Sequence, residues 1–246
     1  MESRERVRIG LFGIGLAAYW PQFEGLKESI EGHLAAIAER LGSWGEIVDG
    51  GLVDTARTGA VAGDRFAEAR VDLLVCWSGT YATSTQVLPV AQRAGAPVLL
   101  LYLQPDAALD YERADTWAAL AHAGICPIPE LAGVFQRAGV PFRIVTGHLD
   151  GDEVAWAEVE AWCRAVAAVK PLQRGRFGML GHTYPGMIDM STDVGVVASE
   201  LGAHVEILEI EDVRDRARAA TKEQVEAALD EARGLLRFAS DICPEG

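Results

Sequence analysis

This chain of 246 residues is poor in positive charge, with 22 Lys and Arg against 36 Asp and Glu, a net charge of −14. Nucleic acid and anionic membrane surfaces are held by patches of Lys and Arg, so neither is expected as a partner. Long apolar runs are lacking too, and none approaches the ~20 residues that span a bilayer. The opening MESRERVRIG runs straight into a strand-like segment, without the apolar stretch and small-residue cleavage site of a secretory leader. The four cysteines (Cys76, Cys126, Cys163, Cys243) are widely spaced and form no CxxC pair, and Cys76 and Cys163 lie within apolar segments. They are expected as reduced, mostly buried thiols of a cytoplasmic protein. The five histidines are scattered, and HxxxH, His-x-x-Glu, GxSxG and the P-loop are all missing.

Half of the residues are hydrophobic, as in folded globular chains. The length allows one large domain or two modest ones, at roughly 100–200 residues each. Strand and helix signals alternate. Val7 to Ile14 is a short apolar run. From Gln22 to Leu41 the apolar residues Phe23, Leu26, Ile30, Leu34, Ile37 and Leu41 recur at helical spacing. Asp72 to Trp77 and Pro97 to Leu103 are continuous apolar runs, as expected of strands covered on both faces. Thr83 to Ala94 reads as a helix closed by Gly95, and Phe142 to Thr146 as another strand. Asp150 to Val169 reads as a helix with an apolar face of Val154, Ala157, Ala161, Ala165 and Val169, flanked by Trp156 and Trp162 and ended by Pro171.

Val169 to Arg176 (VKPLQRGR) reads as a domain boundary, after which the alternation restarts: strand at Phe177 to Leu180, helix at Ile188 to Leu201, strand at His204 to Ile210, and a last helix opening on the capping box Thr221-Lys-Glu-Gln224. Repeated β–α alternation predicts a mostly parallel sheet with helices on both faces, Rossmann-like or flavodoxin-like. The first α/β domain is expected over 1–170. Part of a second, incomplete one is expected over 176–246, because two strands rarely hold together alone.

Several loops fall where parallel strands end, which is where such sheets bind ligands. Gly13-Ile-Gly15-Leu-Ala-Ala18 matches the GxGxxA dinucleotide fingerprint. However, Trp20-Pro21 follows at once, and no acidic residue stands ~20 positions on. A glycine-rich βα loop is the plainer reading, and nucleotide binding at Gly13 and Gly15 is kept as a minor alternative. Tyr19 and Trp20 of that loop and Ser78-Gly79-Thr80-Tyr81 of the next should share one sheet edge, where aromatic rings beside hydroxyls suit a polyol. His148, Asp150 and Asp152 have metal-like spacing, but the acids are better explained as a helix N-cap and first turn. Asp189 and Asp193 would share one helical face, offering paired carboxylates for acid–base chemistry or simply two first-turn acids.

Taken in order, these loops resemble the front part of the L-arabinose/L-fucose isomerase-type enzymes, which interconvert aldoses and ketoses. The matching stretches are Gly13 to Tyr19, Trp77 to Ser84, Ala121-His122-Ala-Gly124, Thr146-Gly147-His148, and Arg176-Phe-Gly with Met187 and Asp189. The resemblance implies two α/β domains followed by a barrel-like third. It also implies a divalent metal, usually Mn2+, bound with the sugar by two glutamates and two histidines of later segments, which this chain does not reach. By the same resemblance the protein is a homo-oligomer (trimer or hexamer) in which one subunit's first domain covers a neighbour's active site. This chain would then supply a substrate-binding edge of Tyr19, Tyr81, His122, His148 and Met187, with no catalytic or metal residues of its own. The family's polar residues in the first loop are replaced here by Leu16-Ala17-Ala18. A rival expectation is a non-catalytic α/β module that binds a sugar without metal.

Overall fold

A computed structural model describes residues 6–184 and 186–237; Cys243 and the opening residues 1–5 lie outside the described residues. The chain divides into two compact units, Met1–Lys170 and Pro171–Gly246.

The first unit is built on five strands: β1 (Arg8–Ile14), β2 (Glu46–Val53), β3 (Leu73–Ser78), β4 (Val98–Gln104) and β5 (Phe142–His148). All neighbouring pairs are parallel and the order is β2-β1-β3-β4-β5. Its helices are α1 (Leu26–Leu41), α2 (Ala56–Ala69), α3 (Ser84–Ala94), α4 (Thr116–Ala121), α5 (Ile128–Ala138) and α6 (Glu153–Gln173). Every residue of β3 is buried, because helices cover both faces of the sheet. On one face Leu11, Val75 and Leu101 pack with Leu34 of α1 and Trp156 of α6. On the other, Phe12, Cys76 and Leu100 pack with Phe66 of α2, Val87 of α3 and Phe135 of α5. This is a doubly wound, Rossmann-like α/β sheet. The chain enters at β1, steps outward to β2, then crosses back to β3, so the winding reverses between β1 and β3.

Three local expectations change. The first long helix starts at Leu26 and not at Gln22, because Gly25 adopts a left-handed φ of 79° and the residues before it form turns. Phe23 still packs on the core from there. α6 buries Ala155, Trp156, Val159 and Cys163, while Val154 is 83% exposed and Ala157, Ala161, Ala165 and Val169 also face water. The two stripes lie on nearly opposite sides, roughly 150° apart at 100° per residue, and Trp156 decides between them: its indole N–H donates to the Leu149 carbonyl (2.9 Å), and Arg40 stands 4.4 Å above its ring. Pro171 lies inside α6 and does not end it. The carbonyl that its ring leaves without a donor belongs to exposed Ala167, where water can satisfy it.

The second unit pairs β6 (Arg176–Leu180) and β7 (His204–Leu208) in parallel, with α7 (Val194–Leu201), α8 (Ile210–Ala219) and α9 (Lys222–Leu235). The Thr221 capping box opens α9. Among its described residues Ala203 is the one buried side chain, and Phe177, Leu180 and Ile207 are about half exposed. The stretch expected as one helix over 188–201 is split into a short turn, Ile188–Met190, and α7. Asp189 and Asp193 therefore share no helical face. Asp193 caps α7, accepting from the backbone N–H of Gly195 (2.8 Å) and Val196 (3.3 Å).

Among the described residues no helix is long and apolar enough to cross a membrane. Cys76 and Cys163 are buried and free, whereas Cys126 is free and exposed. Burial pushes the Cys163 thiol up to about 11 and the Cys76 thiol up further still.

Candidate functional site

A sheet whose winding reverses between β1 and β3 opens a crevice at the carboxyl ends of those strands. The β1 loop is tied down there by backbone bonds from Gly15 to Val53 (3.1 Å) and from Ala17 to Asp54 (3.2 Å). Trp20 folds back over the loop, and its indole N–H donates to the Asp54 carboxylate (2.8 Å). A Cβ on Gly15 would come within 2.6 Å of the Trp20 ring and 3.3 Å of the Thr80 methyl. Glycine at position 15 thus admits an indole. The dinucleotide geometry is not formed: the place of the pyrophosphate is filled, and no helix N-terminus follows until Leu26.

The β3 loop is also turned inward. Ser78 Oγ donates to the Gly124 carbonyl and Thr80 Oγ1 to the Leu120 carbonyl, each at 2.7 Å. These buried hydroxyls do not face a ligand, contrary to the polyol reading of that loop. They fasten the segment that follows α4 against the end of β3. Gly124 makes the approach possible, because a Cβ there would strike the Ser78 carbonyl and stand 3.3 Å from the Tyr102 ring. The segment forms a single turn, Ala123–Ile125, and delivers Cys126 to the edge.

Polar-tipped groups lie within electrostatic reach of one another here: Tyr19 of Tyr81 and Cys126, and Tyr102 of Cys126. Tyr19 resists ionisation, chiefly through partial burial and then through the neighbouring Tyr81 and Cys126. Tyr102 does so through burial and Cys126. The structure thus brings Tyr19 and Tyr81 together, and adds Tyr102 and Cys126, which sequence reasoning missed. A visible signal was Tyr102 itself, a polar-tipped aromatic near the carboxyl end of an apolar strand.

His122 and His148 stand further along the same edge, after β4 and β5. His122 Nδ1 lies 2.8 Å from the Ala118 carbonyl and Nε2 lies 3.2 Å from the Asp106 carboxylate, so both ring nitrogens face acceptors. The backbone N–H of His148 donates to Asp152 (3.2 Å), and its ring Nδ1 is 3.7 Å from the same carboxylate. Asp152 caps α6 by accepting from Ala155 N–H (3.0 Å). That backbone bond is the main reason its carboxyl lies below the ordinary range, with smaller help from His148. Three strand spacings separate the ends of β1 and β5, about 14 Å, so Tyr19 and His148 bracket the edge without touching. Met187 belongs to the second unit and is 46% exposed.

Among the described residues no three His, Cys, Asp or Glu side chains converge as metal ligands; the His122–Asp106 and His148–Asp152 pairs have two members each. The residues present therefore do not fit a manganese centre, and no chemical step is derived through one.

The class defined by this arrangement is a Rossmann-like α/β unit with an aromatic edge at its switch point. No protein-family profile matches the chain. It is 24% identical over 172 residues to an L-arabinose isomerase of Acidothermus cellulolyticus. It is 23% identical over 172 residues to that of Clavibacter sepedonicus. Each match takes in 70% of this chain and 33% of the relative. The chain is thus a distant, partial relative of the L-arabinose isomerases, and spans about a third of the length of the curated relatives it matches.

Proposed function

We propose that this chain forms the substrate-contacting part of a sugar isomerase of the L-arabinose isomerase kind. Tyr19 and Tyr81 pack on the C–H face of the sugar and offer their hydroxyls to it, while His122 and His148 flank it. The carrying observation is the similarity over 172 residues to two such enzymes, supported by a switch-point edge that brings two of the five matched residues together. Moving a proton between C1 and C2 needs a base beside a polarised carbonyl, and a metal stabilises the enediolate. The manganese and the proton-transfer groups are assigned to residues beyond the described ones, and this chain binds the sugar, excludes water and contacts a neighbouring copy in a homo-oligomer.

Calorimetric titration with L-arabinose, L-fucose and L-arabinitol, with and without Mn2+, tests this alongside a turnover assay. Sugar binding without conversion is expected of the 246-residue chain. Clear turnover by it would overturn the division of labour, and the absence of any sugar binding would overturn the sugar-contacting role. A non-catalytic sugar-binding module is the second reading, favoured by the lack of a converging ligand set among the described residues. Micromolar affinity indifferent to Mn2+ would select it.

A further inference from the structure

We infer that Tyr102 and Cys126 are ligand-contacting residues of this edge, completing with Tyr19 and Tyr81 a four-sided wall for a polyol. The inference rests on the sugar-contacting role proposed above and extends it to two residues outside the matched set. Its basis is how rigidly these two groups are placed. Tyr102 stands on β4, a strand at the middle of one half of the sheet, with its ring packed beside Gly124. Cys126 closes the turn over Ala123–Ile125, its N–H donating to the Ala123 carbonyl (3.0 Å). That turn is held by the buried Ser78 hydroxyl bond to Gly124, and the Thr80 hydroxyl ties the preceding helix at Leu120. Ligand contacts carried on strands and pinned turns are more precisely placed than contacts on free loops.

The thiol is exposed, in contrast to Cys76 and Cys163; Tyr19, Tyr81 and Tyr102 are half-buried, and the rings of Tyr19 and Tyr102 pack on the core. The electrostatic influence of Cys126 on both Tyr19 and Tyr102 agrees with this grouping. The carboxylates of Asp54, Asp106, Glu130 and Asp152 all bond to this edge, so hydroxyls fit there and a phosphate does not.

The test is ligand protection of the thiol in the full chain. Iodoacetamide labelling is followed by peptide mapping with increasing L-arabinitol, and added glutathione serves as the control thiol. Cys126 labelling is expected to slow about tenfold at saturation while that of glutathione is unaffected. Tyr102→Phe removes one hydroxyl and should weaken L-arabinitol about 3- to 10-fold, with no change in Tm. Cys126→Phe, which fills the space between the phenols, should abolish measurable binding at unchanged Tm. If calorimetry shows sugar bound while Cys126 labels at its free rate, the inference is overturned and the sugar-contacting role stands. If no sugar binds at all, both fall. Tyr102→Phe with unaltered affinity also overturns the inference.

Discussion

Gly15→Ala separates a glycine kept for a ligand from one kept for a neighbouring side chain. Gly15 does not have a left-handed φ, so alanine suits its backbone, and the whole penalty comes from space. The new methyl would sit 2.6 and 2.9 Å from Trp20 ring carbons and 3.3 Å from the Thr80 methyl. The indole must move, which costs about 1–3 kcal/mol as overpacking. Its bond to the Asp54 carboxylate then breaks, at about 1.5–3 kcal/mol for a charged partner. Since Trp20 is only partly buried, the lower part of that summed range applies, about 2.5–4 kcal/mol. In a Trp20→Ala background the obstacle is gone. There, Gly15→Ala should be neutral or stabilising by up to about 1 kcal/mol, through the smaller entropy of the unfolded chain. Urea unfolding followed by far-UV circular dichroism on the four proteins of the cycle gives the coupling energy, provided the m value is unchanged. An equal cost for Gly15→Ala in both backgrounds would refute the placement of Trp20 over Gly15.

Three further outcomes are expected. Thr80→Val keeps the shape but leaves the Leu120 carbonyl without its donor, so unit stability should fall by about 1–3 kcal/mol; a change below about 0.5 kcal/mol would mean the hydroxyl is not holding that segment. Asp152 has a depressed folded pKa, so its contribution is present above the ordinary aspartate value near 3.8 and is lost as pH falls through the lower folded value. The stability gap between the native protein and Asp152→Asn should accordingly narrow on acidification from about pH 5 to about pH 3, and parallel acid-unfolding curves would contradict it. Hydrogen exchange should be faster, by on the order of tenfold or more, for the β6 and β7 amides than for β3 and β4, because Ala203 is the one buried residue among the described part of the second unit. Equal protection in the two sheets would show that the second unit has a cover of its own.

Most of the strand–helix alternation was visible in the chain before folding. β3 and β4 are continuous apolar runs, α1 repeats its apolar residues at helical spacing, and Gly95 and Thr221 mark helix ends as found. α2 was not visible, because small residues (Gly59, Ala62, Gly63) carry most of its buried face and leave little periodic signal. β2 was hidden for a related reason: Gly50 and Gly51 interrupt its apolar pattern, and its register shifts opposite Leu11 and Phe12. In α6 two apolar stripes compete on nearly opposite sides, and nothing within the helix ranks them. The candidate edge was half legible. Tyr19 and Tyr81 could be placed from their positions after strands, whereas Tyr102 and Cys126 reach it only through contacts across the fold.

What the sequence determined by itself is therefore local: run lengths, helical periods and caps, which depend on neighbours three or four positions away, and with them an α/β class. The tertiary structure alone decided the strand order that puts the switch point between β1 and β3, and the use made of each polar group there. The Ser78 and Thr80 hydroxyls look like ligand donors in the chain, yet each bonds a carbonyl 46 or 40 residues away. Buried hydroxyls must find a partner, and which partner is within reach is settled only when the strands are ordered.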